Sequence, residues 1–250
     1  MIKALIVELY KTRRKKIGWV VAAFILTQLF WIIWSMSRMK ADDEMRGWMV
    51  ILYQFPLLNA IMMPVMAAVI ASRLGDLEHK GQAYRLLRTI APAGLLFDVK
   101  FFTGALYMLT AALLQLGVIL ASGYFKGFEG SPPFERLFCY LFFTTAVNLS
   151  ILLLQQILSL LFTNQMVALS AGLIGAFAGL FSLFFPQSLQ KLILWGYYGV
   201  LMIVRLDWNP DTRISHYSWT PIDWPGFILL GIFFSLLYGL GRFLFTRKEV

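Results

Sequence analysis

Residues 47–71 read GWMVILYQFPLLNAIMMPVMAAVIA, a run of 25 without one Asp, Glu, Lys or Arg. A helix crossing the hydrocarbon core of a bilayer needs about 20 mostly apolar residues, because it rises about 1.5 Å per residue across about 30 Å. Four other charge-free runs meet that length: 17–36, 101–125, 137–162 and 165–185. A sixth, 225–246, reaches it by letting Arg242 snorkel. The stretch 191–204 is apolar but only about 14 residues long, below the spanning range, and is expected to re-enter the membrane or lie on its surface between spans five and six.

Composition agrees. The 250 residues are 59% hydrophobic and 14% charged, against about 45–50% and about 25% in soluble domains. A soluble domain of this size shows more polar surface than such a chain can supply, so a soluble enzyme, a disordered tail and a secreted disulfide scaffold are excluded. The one cysteine, Cys139, can close no disulfide within the chain, and the two histidines, His79 and His216, offer no zinc spacing. The fold expected is an all-α polytopic membrane protein of six spans, one domain over residues 1–250.

The net charge of +9 sets the orientation. With both termini inside, 14 of the 22 Lys and Arg face the cytoplasm with five acids, while eight cations and eight acids face outward. The whole excess then lies on one face, as the positive-inside rule requires. Residues 1–16 precede the first span, with Ile2, Leu5, Ile6 and Leu9 at i, i+3, i+4 and i+7 and a basic run at Arg13–Lys16. That pattern predicts an amphipathic helix on the inner membrane surface, serving either as a topological flag or as a packing element. Ser131-Pro132-Pro133 and Asp223-Trp224-Pro225 look like helix starts with proline in the first turn. The aromatics between Trp195 and Trp224 read mainly as an interfacial belt.

The chain lacks a Gly-x-x-x-x-Gly-Lys-Ser/Thr loop, a His-Glu-x-x-His pair and a Gly-x-Ser-x-Gly elbow. The span limits enclose no ionisable carboxylate or amine for ion-coupled transport. Energy for moving a solute must therefore come from elsewhere. Polar residues in the spans are amides: Gln28, Gln54, Asn59, Gln115, Asn148, Gln155 and Gln156. Each reads first as interhelical glue. Gln54, Asn59, Asn148 and Gln155, with Trp208 and Trp219 at the outer interface, are the candidates for a substrate path. Small residues Ala168, Gly172, Gly175, Ala176 and Gly179 predict a close-packing helix face.

One soluble segment stands apart. Residues 72–95 are far longer than the usual helix connection of about 2–8 residues and carry Asp76, where a helix is expected to start, then Leu77, Tyr84 and Leu87 on one line beside Arg85 and Arg88, with Pro92 and Gly94 ending it. Glu78 with Lys80-Gly81-Gln82, then Arg85-Leu86-Leu87-Arg88-Thr89, Ala91-Pro92 and Lys100 resemble the cytoplasmic loop of type-2 ABC permeases. In length and layout the chain looks most like the lantibiotic-immunity and bacitracin-resistance permeases. The resemblance implies a coupling helix that rests on a cytosolic ATPase and includes Asp76, Glu78, Lys80, Tyr84, Arg85 and Arg88. It also implies a second permease chain, ATP and Mg on the ATPase rather than on this chain, and an amphiphilic peptide expelled from the lipid of the cell membrane. No nucleic acid, metal or catalytic residue is implied. Another hydrophobic cargo, or a scaffold or sensor without transport, are the alternatives.

Overall fold

The computed structural model describes residues 2–39, 46–79, 89, 91–209 and 214–248. Its elements in chain order are α1 (Ile2–Arg14), α2 (Ile17–Met36), α3 (Gly47–His79), α4 (Ala93–Lys126), α5 (Phe134–Leu161), α6 (Met166–Ser182), α7 (Gln187–Gln190), a 3-10 turn (Leu194–Gly196), α8 (Tyr197–Val200), β1 (Val204–Asn209), β2 (Ile214–Trp219) and α9 (Trp224–Arg247). Among the described residues five helices, α2, α3, α4, α5 and α9, are long and apolar enough to cross a membrane. The chain is a mostly helical, multi-pass membrane protein.

The run expected over 165–185 forms a helix of 17 residues, α6, shorter than the other five. Its last turns tighten: Leu183, Phe184 and Phe185 donate backbone bonds to Leu180, Phe181 and Ser182, three residues back, and Pro186 then begins a new element. The small face of α6 packs as expected, but on two surfaces. A Cβ at Gly172 would strike Ala68 of α3, while Gly175 and Gly179 are filled against Trp195.

The stretch 191–204 is neither one re-entrant nor one surface helix. It is a 3-10 turn, the four-residue α8 and the start of a strand. Tyr197 and Tyr198 are buried in the core, so these two, with Trp195, leave the expected belt, whereas Trp208 and Trp224 stay exposed. Beyond lies an antiparallel hairpin, the one departure from helix among the described residues, with Val204 opposite Trp219 and Leu206 opposite Tyr217. Val204 is fully buried and Tyr53 of α3 meets Tyr217 edge to face. The pairs face inward and Arg205 and Asp207 outward, the period-2 alternation of a half-buried strand.

Two helix starts differ in kind. Asp223 caps α9 as expected, accepting from Gly226 N–H at 2.9 Å, with proline in the first turn. At α5 the cap residue is Pro133 and no side chain caps it, so the serine of 131–133 does not act there.

The core lies along α3, α5 and α6, sealed by residues such as Phe55, Met63, Met66, Ile151 and Leu152, all inaccessible to solvent. Pro56 and Pro64 sit inside α3, where neighbouring helices make up for the lost backbone donors. Helices α2 and α9 are peripheral: Phe30 and Trp31 of α2, and Ile228, Ile232 and Leu236 of α9, are exposed.

Candidate functional site

At the end of the bundle that carries α1, residues 72–79 belong to α3, which runs unbroken through the expected helix start. Asp76 is therefore inside a helix and does not cap one. Its carboxylate instead accepts from Lys15 at 3.3 Å. Arg73 donates to the Lys15 carbonyl at 2.6 Å. Pro92 is the N-cap residue of α4, with extended backbone, and so begins a helix where the end of one was expected. Lys80, Tyr84, Arg85 and Arg88 lie outside the described residues, and Glu78 is placed as part of α3 by its backbone alone.

Helix α1 is an amphipathic helix with its polar side turned to the protein. Ile2, Ile6, Val7 and Tyr10 are exposed, whereas Glu8 and Thr12 are buried. Glu8 accepts from Lys100 at 2.8 Å and from Lys11 at 3.3 Å, and Thr12 shares a hydrogen bond of 3.0 Å with Tyr107 of α4. The packing role is the one α1 takes.

Lys100 corrects the expectation of a loop charge at the mouth of span three. Helix α4 begins at Ala93, so Asp98 and Lys100 fall within it. Lys100 is 1% exposed and also donates to the Leu74 carbonyl at 2.9 Å. Burial acts to raise the Glu8 carboxyl, but the charges and hydrogen bonds of Lys100 and Lys11 together outweigh it, and the group sits below its ordinary 4.5. Asp98 accepts from Tyr238 at 2.6 Å and from Arg242 at 3.2 Å, joining α4 to α9. Lys248 donates to the Leu160 and Leu161 carbonyls at the C-terminus of α5, where a positive charge meets the negative end of the helix dipole.

These bonds fall on the end of α3 and the start of α4, the two flanks of the segment between them. Its entry is tied to Lys15, in the turn after α1, by Asp76 and Arg73, its exit to Glu8 of α1 by Lys100, and Lys100 joins exit to entry through Leu74.

The amides of the spans separate into groups. Asn59, Gln28, Gln115 and Tyr140, from four different spans, form one closed network: Gln115 Nε2 donates to Gln28 at 2.8 Å and to Asn59 at 2.7 Å, and the Tyr140 hydroxyl reaches Gln115 Oε1 at 2.9 Å. All four are buried, and such satisfied networks fix a unique packing. Asn148 accepts from the Tyr198 hydroxyl at 2.6 Å, while its Nδ2 has no partner among the described residues. The Gln155 amide, with its nitrogen toward the Ala168 carbonyl and its oxygen toward Gly172 N–H, inserts into the backbone of α6. Gln54 is half-buried. Trp219 lies under the Arg136 guanidinium at 5.2 Å, and Trp208 is exposed. The candidate path residues are thus not gathered around one cavity.

A groove of about 490 Å³ does open at the hairpin end, between Tyr53 and Leu57 of α3, the 183–190 connection, and Val204, Arg205 and Leu206 of β1. Apolar walls alternate there with Gln187, Gln190, Arg205 and Thr220. Sequence reasoning missed it because its walls belong to a hairpin read as helix and loop. Asp223 beside it is held low: burial acts upward, but Lys191 at 2.6 Å and the Gly226 N–H act more strongly downward.

No curated protein matches the chain. A family model described as ABC-2 family transporter protein matches residues 4–179, from α1 into α6, and leaves the hairpin and α9 beyond it. With 70% of its 250 residues in that match, the chain belongs to the ABC-2 transporter family.

Proposed function

We propose that this ABC-2 permease exports amphiphilic antimicrobial peptides of the lantibiotic type from the membrane, giving immunity or resistance. On this reading the chain has six spans, α6 being the short one, with both termini cytoplasmic. It forms one domain over residues 1–250, whose segment 72–95 bears on a cytosolic ABC ATPase that holds ATP and Mg. A second permease chain completes the transporter. The observation that carries the cargo class is the contrast between a span interior filled by mutually bonded amides and the mixed apolar and polar groove at the hairpin end. A charged solute in the spans needs compensating groups along its path. A cargo already dissolved in lipid needs apolar contact and a few hydrogen bonds at an opening.

The test compares cells carrying this chain, its permease partner and its ATPase with cells whose ATPase cannot hydrolyse ATP. The active strain is expected to hold less cell-bound peptide and to survive more of it. Equal binding and equal sensitivity across several lantibiotics and bacitracin would overturn the peptide reading and leave another hydrophobic cargo. Cysteines at Gly130 and Thr212, in a Cys139-free background, are expected to react from outside, and one at Gln82 only from inside.

A further inference from the structure

The turn between α1 and α2 holds Lys16 with φ 53° and ψ 34°, the one non-glycine among the described residues with positive φ. A side chain in the left-handed region is disfavoured, and its persistence there asks for a reason. The turn throws Lys16 outward between two grooves that share it. One, about 610 Å³, is rimmed by Lys15, Lys16 and Arg73 and walled below by Trp19, Val20 and Ala23. The other, about 440 Å³, is rimmed by Arg13 and Lys16 and walled by Trp19 and Ala22. Lys15 and Asp76 neutralise each other and Arg73 is engaged with a carbonyl, but Arg13 and Lys16 are exposed with no ion-pair partner among the described residues. Trp19 is 76% exposed, directly below them on a spanning helix.

We propose that this elbow is a binding site for one anionic phospholipid, its headgroup phosphate held by Arg13 and Lys16 and its acyl chains lying along Trp19, Val20 and Ala23. Charge complementarity selects the headgroup. The apolar wall that continues down α2 from the basic rim selects a lipid over a free phosphate. A headgroup gripped there steadies the joint through which α1, tied to α3 and α4, is anchored to α2. The site rests on the membrane-spanning reading of the chain and not on its cargo.

The experiment is native mass spectrometry of the detergent-solubilised full chain, titrated with palmitoyl-oleoyl phosphatidylglycerol, with the matching phosphatidylcholine, and with inorganic phosphate as competitor. Each basic residue facing an anionic lipid surface contributes about fivefold in affinity. Lys16→Asn, which keeps a residue tolerant of the left-handed turn, is expected to weaken phosphatidylglycerol retention about fivefold, and Arg13→Gln with Lys16→Asn about 25-fold. Lys126→Gln, at the far end of α4, is expected to change nothing. Equal retention of the two lipids, unaltered retention in the variants, or an equal loss in Lys126→Gln would overturn the site. Displacement of the lipid by inorganic phosphate at matched concentration would overturn the lipid assignment. A chain that exports peptide yet ignores phosphatidylglycerol loses this inference alone, and one that binds the lipid without exporting peptide loses only the cargo.

Discussion

Replacing Lys100 by Met tests whether α1 is clamped by a buried charge pair. The Lys100 ammonium lies 2.8 Å from Glu8 and 2.9 Å from the Leu74 carbonyl, with the two side chains 1% and 6% exposed. Removing one partner of a buried pair costs about 3–5 kcal/mol, because the other charge stays desolvated. Glu8 keeps Lys11 at 3.3 Å, and Lys11 is partly in water, which places Lys100→Met at about 3 kcal/mol. In a chain of this size that corresponds to about 6–12 °C in Tm. The assay is thermal unfolding of the detergent-solubilised chain at one heating rate, followed by tryptophan fluorescence, together with the rate of trypsin cleavage within α1. Lys100→Met and Glu8→Gln should each lower Tm and speed that cleavage. The double variant should lose clearly less than the two singles added, since neither charge is then left alone. Shifts under 1 °C, or strict additivity, would refute the clamp.

Because the Glu8 carboxyl is lowered in the folded protein, its stabilisation is present above the ordinary value of 4.5 and disappears as pH falls through the lowered folded value; the Tm gap between wild type and Glu8→Gln should be flat near neutral pH and close in acid below that ordinary value. Asn59→Leu takes the acceptor from the Gln28 amide nitrogen while Gln115 keeps its bonds to Gln28 and Tyr140, a loss of about 1–3 kcal/mol for the group left unsatisfied, read as a lower Tm with α1 cleavage unchanged. Glu78→Ala, or Arg85→Glu with Arg88→Glu, should leave the chain inserted while the partner's ATP hydrolysis no longer responds to cargo, since breaking charged pairs at an interface costs about 2–5 kcal/mol; unchanged transport in the double reversal would remove this segment from the mechanism.

What the sequence disclosed follows the range of its signals. Spans are local: twenty apolar residues betray themselves without reference to any neighbour, and α2, α3, α4, α5 and α9 were legible for that reason. Lys100 was not. It sits one residue before a charge-free run, and a charge at such a boundary reads as solvated until Glu8, 92 positions earlier, is known to face it. The same distance hid Tyr140, whose hydroxyl closes the amide network from a helix where aromatics are common. The hairpin was missed for another cause. Val204, Leu206, Tyr217 and Trp219 alternate with polar residues around Pro210-Asp211, a strand–turn–strand signal overlooked because aromatics near a span end were assigned to the interface.

The polar interior constrains how a stroke can travel. Gln28, Asn59, Gln115 and Tyr140 tie α2, α3, α4 and α5 to one another at a single level, each amide satisfied by the next. Sliding one of these helices by a turn of about 5.4 Å would strand its own member of the network and break the bonds its neighbours make to it, in surroundings where an unpartnered polar group is most costly. At the α1 end α3 and α4 are joined again, to each other and to α1, through Glu8, Lys100 and Leu74. The amide network thus ties α2–α5 together at one level, and the charged link adds α1 to α3 and α4 at another. Helix α9 stands outside both cross-links. It is attached by aromatic contacts, such as Phe101 with Phe234 and Phe97 with Tyr238, by the close approach of Gly241 to Ile157 of α5, and by the Asp98 and Lys248 hydrogen bonds. On the export reading proposed above, a cargo from the lipid meets the protein at the groove of the hairpin end, walled by α3, the 183–190 connection and β1 and not by α9.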